Sequence, residues 1–127
     1  MPDWIVTKSS PRSVPETVQR MSELASAKGL KLFTVIDHSG EAAANGLELR
    51  DTKVVVFGSP VAGTPVMHAA PLAALDLPLK ILVWDDDGQT RVSYTAPAEL
   101  GARYGLTEGL TGRLAGIDGI TDALVQG

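Results

Sequence analysis

Two short β-rich segments in the second half of the chain constrain the fold most. Lys80–Trp84 and Thr90–Tyr94 flank Asp85-Asp86-Asp87-Gly88-Gln89, which predicts a hairpin with a glycine-containing turn. Such a hairpin joins antiparallel neighbours, whereas parallel strands need a longer crossover, usually a helix. We therefore predict an α+β fold. The acidic segment lacks the alternating ligands and the distal glutamate of an EF-hand, so we interpret it as a turn rather than a calcium site.

Strands and helices alternate along the rest of the chain. Ser13 and Glu16 have capping-box spacing, and Gly29 suits a helix end, so Ser13–Lys28 is predicted to be an amphipathic helix. The segment Thr52–Phe57 is apolar on both faces and is predicted to be a central strand. The predicted order of elements is β-α-β-α-β-α-β-β-α-α, within one domain over residues 1–127.

The composition narrows the range of partners and chemistry. The 127 residues include no cysteine, which excludes thiol nucleophiles and cysteine-ligated metal sites, and the formal net charge is −4. That acidic balance argues against nucleic acid as a partner. Apolar runs such as Val54–Phe57 are far shorter than the about 20 residues that span a bilayer. We therefore expect no membrane segment and, in the absence of a signal-like start, a cytoplasmic location.

A glycine-containing segment, Gly58-Ser59-Pro60-Val61-Ala62-Gly63-Thr64, lies between a predicted strand and a predicted helix. Its glycine spacing and Thr64 are typical of a phosphate-binding loop, whose backbone amides hold the anion. The lysine that should follow the second glycine is absent, and Pro60 removes an amide donor. A nucleotide triphosphatase is therefore not expected. A weaker anion site at the helix start and a simple strand-to-helix turn both remain open.

Asp37-His38 follows a predicted strand, and Ser39 is predicted to cap a short helix behind it. The imidazole could act as a general base, although a solvent-exposed strand end would explain the same residues. His38 and His68 could together hold a metal or haem. Their spacing does not resemble a metal motif, so no metal and no cofactor is predicted.

Asp76 and Lys80 stand among apolar residues in Leu75-Asp76-Leu77-Pro78-Leu79-Lys80. Charges in such surroundings are usually paired or functional. Lys80 could form a structural ion pair with Asp76 or Asp37, or it could serve as a catalytic lysine in a cleft.

Glycines recur in the C-terminal segment at steps of four and three, as Gly105, Gly109, Gly112, Gly116 and Gly119. A glycine inside a helix costs about 1 kcal/mol relative to alanine, so the pattern needs an explanation. Close approach of this segment to the sheet or to another subunit would provide one, and so would a frayed terminal helix.

Several separate segments resemble the domain of unknown function 302 family. The first segment is Ile36-Asp37-His38 with Ala42 and Gly46, and the second is Val55-Val56-Phe57-Gly58 with Pro60, Gly63-Thr64, Met67 and Pro71. The third segment is Asp76-Leu77-Pro78-Leu79-Lys80, and the fourth is Val83-Trp84-Asp85 with Tyr94 and Pro97. The resemblance covers nearly the whole chain. It implies a TATA-binding-protein-like architecture, in which helices back a curved antiparallel sheet, and a homodimer. It implies neither DNA binding nor a known activity, because a fold does not determine function.

Three functions remain open at this point. The leading hypothesis is a homodimeric domain that binds a small molecule in a cleft at the strand ends and loop starts. The expected lining of that cleft is Asp37, His38, Gly58, Ser59, Gly63, Thr64, Asp76 and Lys80. The second hypothesis is a hydrolase or isomerase with His38 as base and Lys80 as electrostatic stabiliser. The third is a structural or interaction module without a ligand.

Overall fold

Five strands form an antiparallel sheet in the computed structural model, which describes residues 2–127. The strands are β1 (Ile5–Ser10), β2 (Lys31–Asp37), β3 (Thr52–Gly58), β4 (Leu79–Asp86) and β5 (Gln89–Thr95). They lie in the order β1-β5-β4-β3-β2, and each neighbouring pair is antiparallel. The predicted α+β fold with an antiparallel sheet is confirmed, and β3, predicted to be central, has a partner strand on both sides.

The predicted hairpin joins β4 and β5. Asp86 pairs with Gln89, so Asp87 and Gly88 form the loop, with φ angles of 50° and 92°. A type I′ turn needs positive φ at both central residues, which aspartate and glycine tolerate better than most residues. The Gly88 amide also donates a 2.9 Å hydrogen bond to Oδ1 of Asp85. Local backbone chemistry therefore explains the acidic segment.

The helices follow the predicted order along the chain. They are α1 (Val14–Ala27), α2 (His38–Ala44), α3 (Pro60–Ala69), a 3-10 helix (Pro71–Asp76), α4 (Pro97–Tyr104), α5 (Glu108–Gly112) and α6 (Gly116–Leu124). At the start of α1, Oγ of Ser13 accepts a 3.2 Å hydrogen bond from the Glu16 amide and donates one of 2.8 Å to the Glu16 carboxylate. Gly29 follows the helix with a φ of 69°. The predicted cap and stop of α1 are both confirmed.

The C-terminal segment differs from the single helix predicted by the near-helical spacing of its apolar residues, which are Leu106, Leu110, Leu114, Ile117 and Leu124. It forms α5 and α6, with Arg113, Leu114 and Ala115 between them. Gly112 ends α5 and Gly116 begins α6, so low helix propensity on both sides of the break favours two short helices.

The main core lies between one face of the sheet and the helices α1 and α6. Side chains alternate along a strand, so that face carries every second residue of the central strands. Its buried residues include Val55, Phe57, Ile81, Val83, Val92 and Tyr94 from the sheet and Met21, Ile117, Ile120 and Leu124 from the helices. Burying a side chain of this size contributes about 1.5–3 kcal/mol, so this layer fixes α6 against the sheet.

A second buried cluster joins the remaining helices. It contains Val66 of α3, Ala73 of the 3-10 helix, Leu100 of α4 and Leu114. Leu79, at the start of β4, packs against both clusters. The start of β4 therefore connects the α3 region with the main core.

Strand β2 forms an exposed edge of the sheet. Every residue of β2 except Leu32 is exposed, including Phe33, Val35 and Ile36. The register shifts between Leu32 and Thr34, which marks a β-bulge at Phe33. Large apolar side chains on an edge strand are typical of a surface that contacts another chain.

Candidate ligand-binding cavity

A cavity of about 650 Å³ opens at the end of the sheet where β3 ends and β4 begins. Its walls come from the end of α1, the start of β2, the helix α3, and the segment that contains α6. Pockets that hold drug-sized ligands measure roughly 300–1,000 Å³. The cavity is therefore large enough for a small organic molecule.

Apolar side chains form most of the cavity wall. Phe57 comes from β3, Leu79 from β4, Met67 from α3, and Ile117 and Ile120 from α6. Phe57, Ile117 and Ile120 are each only 2% exposed and belong to the main core. The core therefore holds much of this wall in place, and the cavity suits a ligand with a large apolar part.

The segment Gly58–Thr64 supplies another wall, because Gly58, Ser59, Gly63 and Thr64 all line the cavity. The Ser59 side chain caps α3 by accepting a 3.3 Å hydrogen bond from the Ala62 amide. The Ser59 carbonyl accepts further bonds from the amides of Ala62, at 3.1 Å, and Gly63, at 2.9 Å. The amides of Ala62 and Gly63 are thus bonded within the start of α3, as in an ordinary strand-to-helix turn.

Two C-terminal glycines also line the cavity. Gly116 and Gly119 lie on neighbouring turns of α6, and a Cβ atom added at either one would meet no heavy atom within 4 Å. Close approach to the sheet is therefore wrong as an explanation for glycine at both positions, and close approach to another subunit stays a prediction. The missing side chains leave open space at the cavity.

Other glycines have separate structural roles. Gly105 ends α4 in the left-handed conformation, with a φ of 62°. Gly101 is the point of close approach, because a Cβ there would lie 2.5 Å from Oγ1 of Thr111 in α5. The close helix contact in this region thus occurs between α4 and α5.

Lys28 and Arg113 are the ionisable residues among the described residues that line the cavity. Lys28 caps the end of α1, Arg113 follows α5, and both are exposed. The described lining includes no acidic side chain. The cavity therefore joins an apolar interior to two cations that face solvent.

Asp37 and His38 are not among the residues that line the cavity. Asp37 pairs in register with Lys53, which lies five residues before Gly58 on β3. At roughly 3.4 Å per residue, about 17 Å of strand separates the position of Asp37 from Gly58. His38 is exposed at the first position of α2. The structure therefore does not bring this pair together with the Gly58–Thr64 segment.

Asp37, rather than the predicted Ser39, caps α2. Its carboxylate accepts 2.9 Å hydrogen bonds from the Gly40 amide and from Oγ of Ser39. It also lies 3.4 Å from Nζ of Lys53, which makes a shorter bond of 2.6 Å to Asp51. The Gly40 amide, then the Ser39 hydroxyl and Lys53, hold the pKa of Asp37 below its usual value. These contacts give Asp37 a structural role at this end of the sheet.

Asp76 forms the ion pair expected in its segment, but with a different cation. Its carboxylate lies 2.9 Å from Nη1 of Arg103 and accepts a hydrogen bond from the Tyr104 hydroxyl. The Tyr104 hydrogen bond and then Arg103 lower the pKa of Asp76, and Lys80 adds only a weaker charge effect. Lys80 is exposed on β4, beside the buried Ile81, and neither Asp76 nor Lys80 lines the cavity.

His68 lies exposed in the last turn of α3. Within residues 2–127, no group of three or more histidine, cysteine, aspartate or glutamate side chains is arranged to hold a metal ion.

A polar cluster on the far side of α6 was not apparent from the sequence. The Tyr94 hydroxyl donates a 2.5 Å hydrogen bond to Oδ1 of Asp118, and Nζ of Lys8 donates one of 2.7 Å to Thr121. Lys8 also lies 2.8 Å from the Asp122 carboxylate. Burial and the bond to Asp118 raise the pKa of Tyr94. Burial lowers the pKa of Lys8, but its bonds to Asp122 and Tyr94 outweigh that effect and raise it.

The cavity and the sheet can now be compared with known proteins. The sequence pattern described as "Domain of unknown function DUF302" matches residues 6–124. The chain belongs to the DUF302 family. The resemblance found in the sequence is thereby confirmed. A crystal structure of an uncharacterized conserved DUF302 protein from Bacillus stearothermophilus matches this DUF302 chain with a TM-score of 0.83. That match has 18% sequence identity and covers 98% of this chain and 97% of the other, so it supports the fold alone.

Curated relatives come from Brucella and are longer proteins. Fluoride-specific ion channel FluC 1 of Brucella suis is 37% identical over 103 residues, which cover 80% of this DUF302 chain and 41% of the relative. FluC 1 of Brucella abortus and FluC 2 of Brucella melitensis are also 37% identical, over 38% of their length. This chain therefore spans about two fifths of the relatives it matches. No helix within residues 2–127 is long and apolar enough to cross a membrane.

Proposed function

We propose that this DUF302 chain binds a small apolar molecule in the cavity between α3 and α6. The observation that carries the proposal is the cavity of about 650 Å³ with buried core side chains in its wall. Removing apolar surface from water is favourable by about 25 cal/mol per Å², so an apolar ligand would gain affinity there. Of the sequence-predicted binding residues, Gly58, Ser59, Gly63 and Thr64 line this cavity.

The glycines of α6 support the same proposal. Gly119 lies inside α6, where glycine costs about 1 kcal/mol relative to alanine, and no neighbouring atom excludes a Cβ at Gly119 or at Gly116, the first residue of the helix. Packing within the chain therefore gives no reason for glycine at these positions. Free access to the cavity is a reason for glycine here, because larger side chains on this face of α6 would narrow the opening.

Neutral alcohols of increasing chain length test the proposal. Each added buried methylene contributes about 0.8 kcal/mol, so affinity in isothermal titration calorimetry should rise roughly fourfold per methylene from hexanol to decanol. The heat-capacity change on binding should be negative. Absence of saturable binding across the series would reject the proposed function.

A matched pair of variants locates the binding site. Gly119→Phe places a ring at a glycine that lines the cavity, and Gly109→Phe places the same ring at one that does not. Neither added Cβ meets a heavy atom within 4 Å. Decanol binding should weaken strongly in Gly119→Phe and persist in Gly109→Phe. If decanol binds equally well to both variants, the binding site lies elsewhere.

The homodimer expected from the resemblance is a second part of the proposal. The exposed edge strand β2 supports it, because Val35 and Ile36 are 37% and 40% exposed and can pack against a second copy. Sedimentation equilibrium should give twice the mass of one chain. Ile36→Lys should shift the protein towards monomer, whereas Val61→Lys, at an 81% exposed position on α3, should not. A cytoplasmic location belongs to the same proposal, and cell fractionation tests it.

The names of the Brucella relatives favour a second candidate function, the recognition of fluoride by this domain. Titration with sodium fluoride, followed by amide NMR with sodium chloride as control, tests it. Shifts at Lys28 or Arg113 that only fluoride causes would support this candidate. Identical spectra in the two salts would reject it. The hydrolase or isomerase hypothesis gains no support, since His38 and Lys80 lie outside the cavity lining.

A further inference from the structure

We propose that the ligand of the cavity is a medium-chain carboxylic acid, with its chain among the apolar side chains and its carboxylate beside Lys28 and Arg113. This inference rests on the proposed function, since it names the chemical class of the molecule that the cavity binds. It depends on the sign and the position of the charged side chains at the cavity, because the apolar wall alone does not indicate a head group.

The charges at the cavity have one sign. Lys28 and Arg113 line it, and neither forms an ion pair with an acidic residue among residues 2–127. Lys31 adds a third cation nearby, because its Nζ lies 5.0 Å from the ring centroid of Phe33, which also lines the cavity. The whole chain nevertheless carries a formal net charge of −4. Local positive charge in an acidic protein favours an anionic ligand at this place.

The exposure of the two cations determines how such a ligand would lie. Transferring a carboxylate into an apolar interior without partners is very costly, so the anionic group would not enter beside Phe57 or Ile120. Lys28 and Arg113 are exposed, and a carboxylate beside them stays partly hydrated. Arginine can also bind a carboxylate through two parallel hydrogen bonds. The ligand therefore enters with its chain first.

A carboxylate fits this site better than a phosphate ester. Phosphate sites at helix starts use several free backbone amides. Here the amides of Ala62 and Gly63 are bonded to Ser59, and Pro60 has no amide hydrogen. Two flexible cations remain, and they are sufficient for a group with a single negative charge.

Three probes with the same chain and different head groups test the inference. At neutral pH and low salt, decanoate should bind about threefold to tenfold tighter than decanol, as expected for one or two partly exposed ion pairs. Decylamine should bind more weakly than decanol. Added salt should reduce the preference for decanoate, because exposed charges are screened. If decanol binds as tightly as decanoate, the inference fails and the proposed function stands. If no probe binds, the proposed function fails.

Variants that remove one positive charge each show which residues cause the preference for decanoate over decanol. Lys28→Gln and Arg113→Gln should each weaken decanoate binding roughly threefold more than they weaken decanol binding, because only decanoate carries a charge. Lys80→Gln and Arg50→Gln, at exposed positions that do not line the cavity, should change neither affinity. Retention of decanol binding shows that each variant is folded. Equal effects of all four substitutions on decanoate would reflect net charge alone and would overturn the assignment.

Discussion

The Tyr94 hydroxyl donates a 2.5 Å hydrogen bond to Oδ1 of Asp118 and thereby fastens α6 to the strand β5. On its other side, α6 presents Ile117 and Ile120 to the cavity. The same short helix is thus held by a polar contact to the sheet and forms an apolar ligand-facing wall. Changes at Tyr94 should affect the stability of that wall.

Tyr94→Phe should lower the free energy of unfolding by about 0.5–1.5 kcal/mol at pH 7, because it removes the partly buried hydrogen bond to Asp118 together with the longer one from Thr121. Burial and Asp118 raise the pKa of Tyr94 above its usual 10.0. The stabilising contribution is then complete below about pH 10 and is lost as the pH rises through the folded-state pKa. Urea denaturation across this range should show the two proteins converging in alkali. Equal stability at pH 7 would contradict the assigned contact.

Asp76→Asn should destabilise the protein at neutral pH and much less in acid. The Tyr104 hydrogen bond and Arg103 lower the pKa of Asp76 below its usual 3.8. The charged carboxylate therefore stabilises the fold above about pH 3.8, and this contribution disappears as the pH falls through the folded-state pKa. Melting temperatures from pH 7 to pH 3 measure the effect, with the exposed Asp3→Asn as control. A difference that grows in acid would be inconsistent with this ion pair.

Two alanine substitutions should change stability in opposite directions. Gly119→Ala, inside α6, should stabilise by about 0.5–1 kcal/mol, since the added Cβ meets nothing within 4 Å and alanine is the better helix former. Gly105→Ala should destabilise by roughly 1 kcal/mol or more, because the φ of 62° is unfavourable for a residue with a Cβ. Chemical denaturation of both variants measures the changes. A loss of stability in Gly119→Ala would indicate close packing at α6.

Local chemistry made the fold largely predictable. The capping box of Ser13 and Glu16, the stop at Gly29 and the turn at Asp87-Gly88 each depend on residues a few positions apart. Such signals are complete within a short stretch of sequence, so α1 and the β4–β5 hairpin were predicted correctly. The division of the C-terminal segment into α5 and α6 depends on packing as well, and apolar spacing alone predicted one helix.

The site was only partly predictable. The sequence indicates the Gly58–Thr64 segment because a strand-to-helix turn has a local signature. The sequence does not indicate Lys28 and Arg113, since no pattern shows that the ends of α1 and α5 border the same cavity. Asp37 was grouped with Gly58 because both stand at strand ends, yet they lie at opposite ends of the sheet. Antiparallel neighbours separate successive strand ends, whereas parallel strands would have brought them together.

The central claim, that an apolar ligand occupies this cavity, is tested most directly by titrating ¹⁵N-labelled protein with the neutral probe decanol. Four of the 13 glycines in the chain line the cavity, namely Gly58, Gly63, Gly116 and Gly119, and their amides report from three of its walls. Gly40, Gly46, Gly88 and Gly109 do not line it and serve as internal references. We predict saturable shifts at the first set and unchanged positions at the second. Shifts confined to the reference glycines, or no shifts at the highest soluble decanol concentration, would contradict the claim.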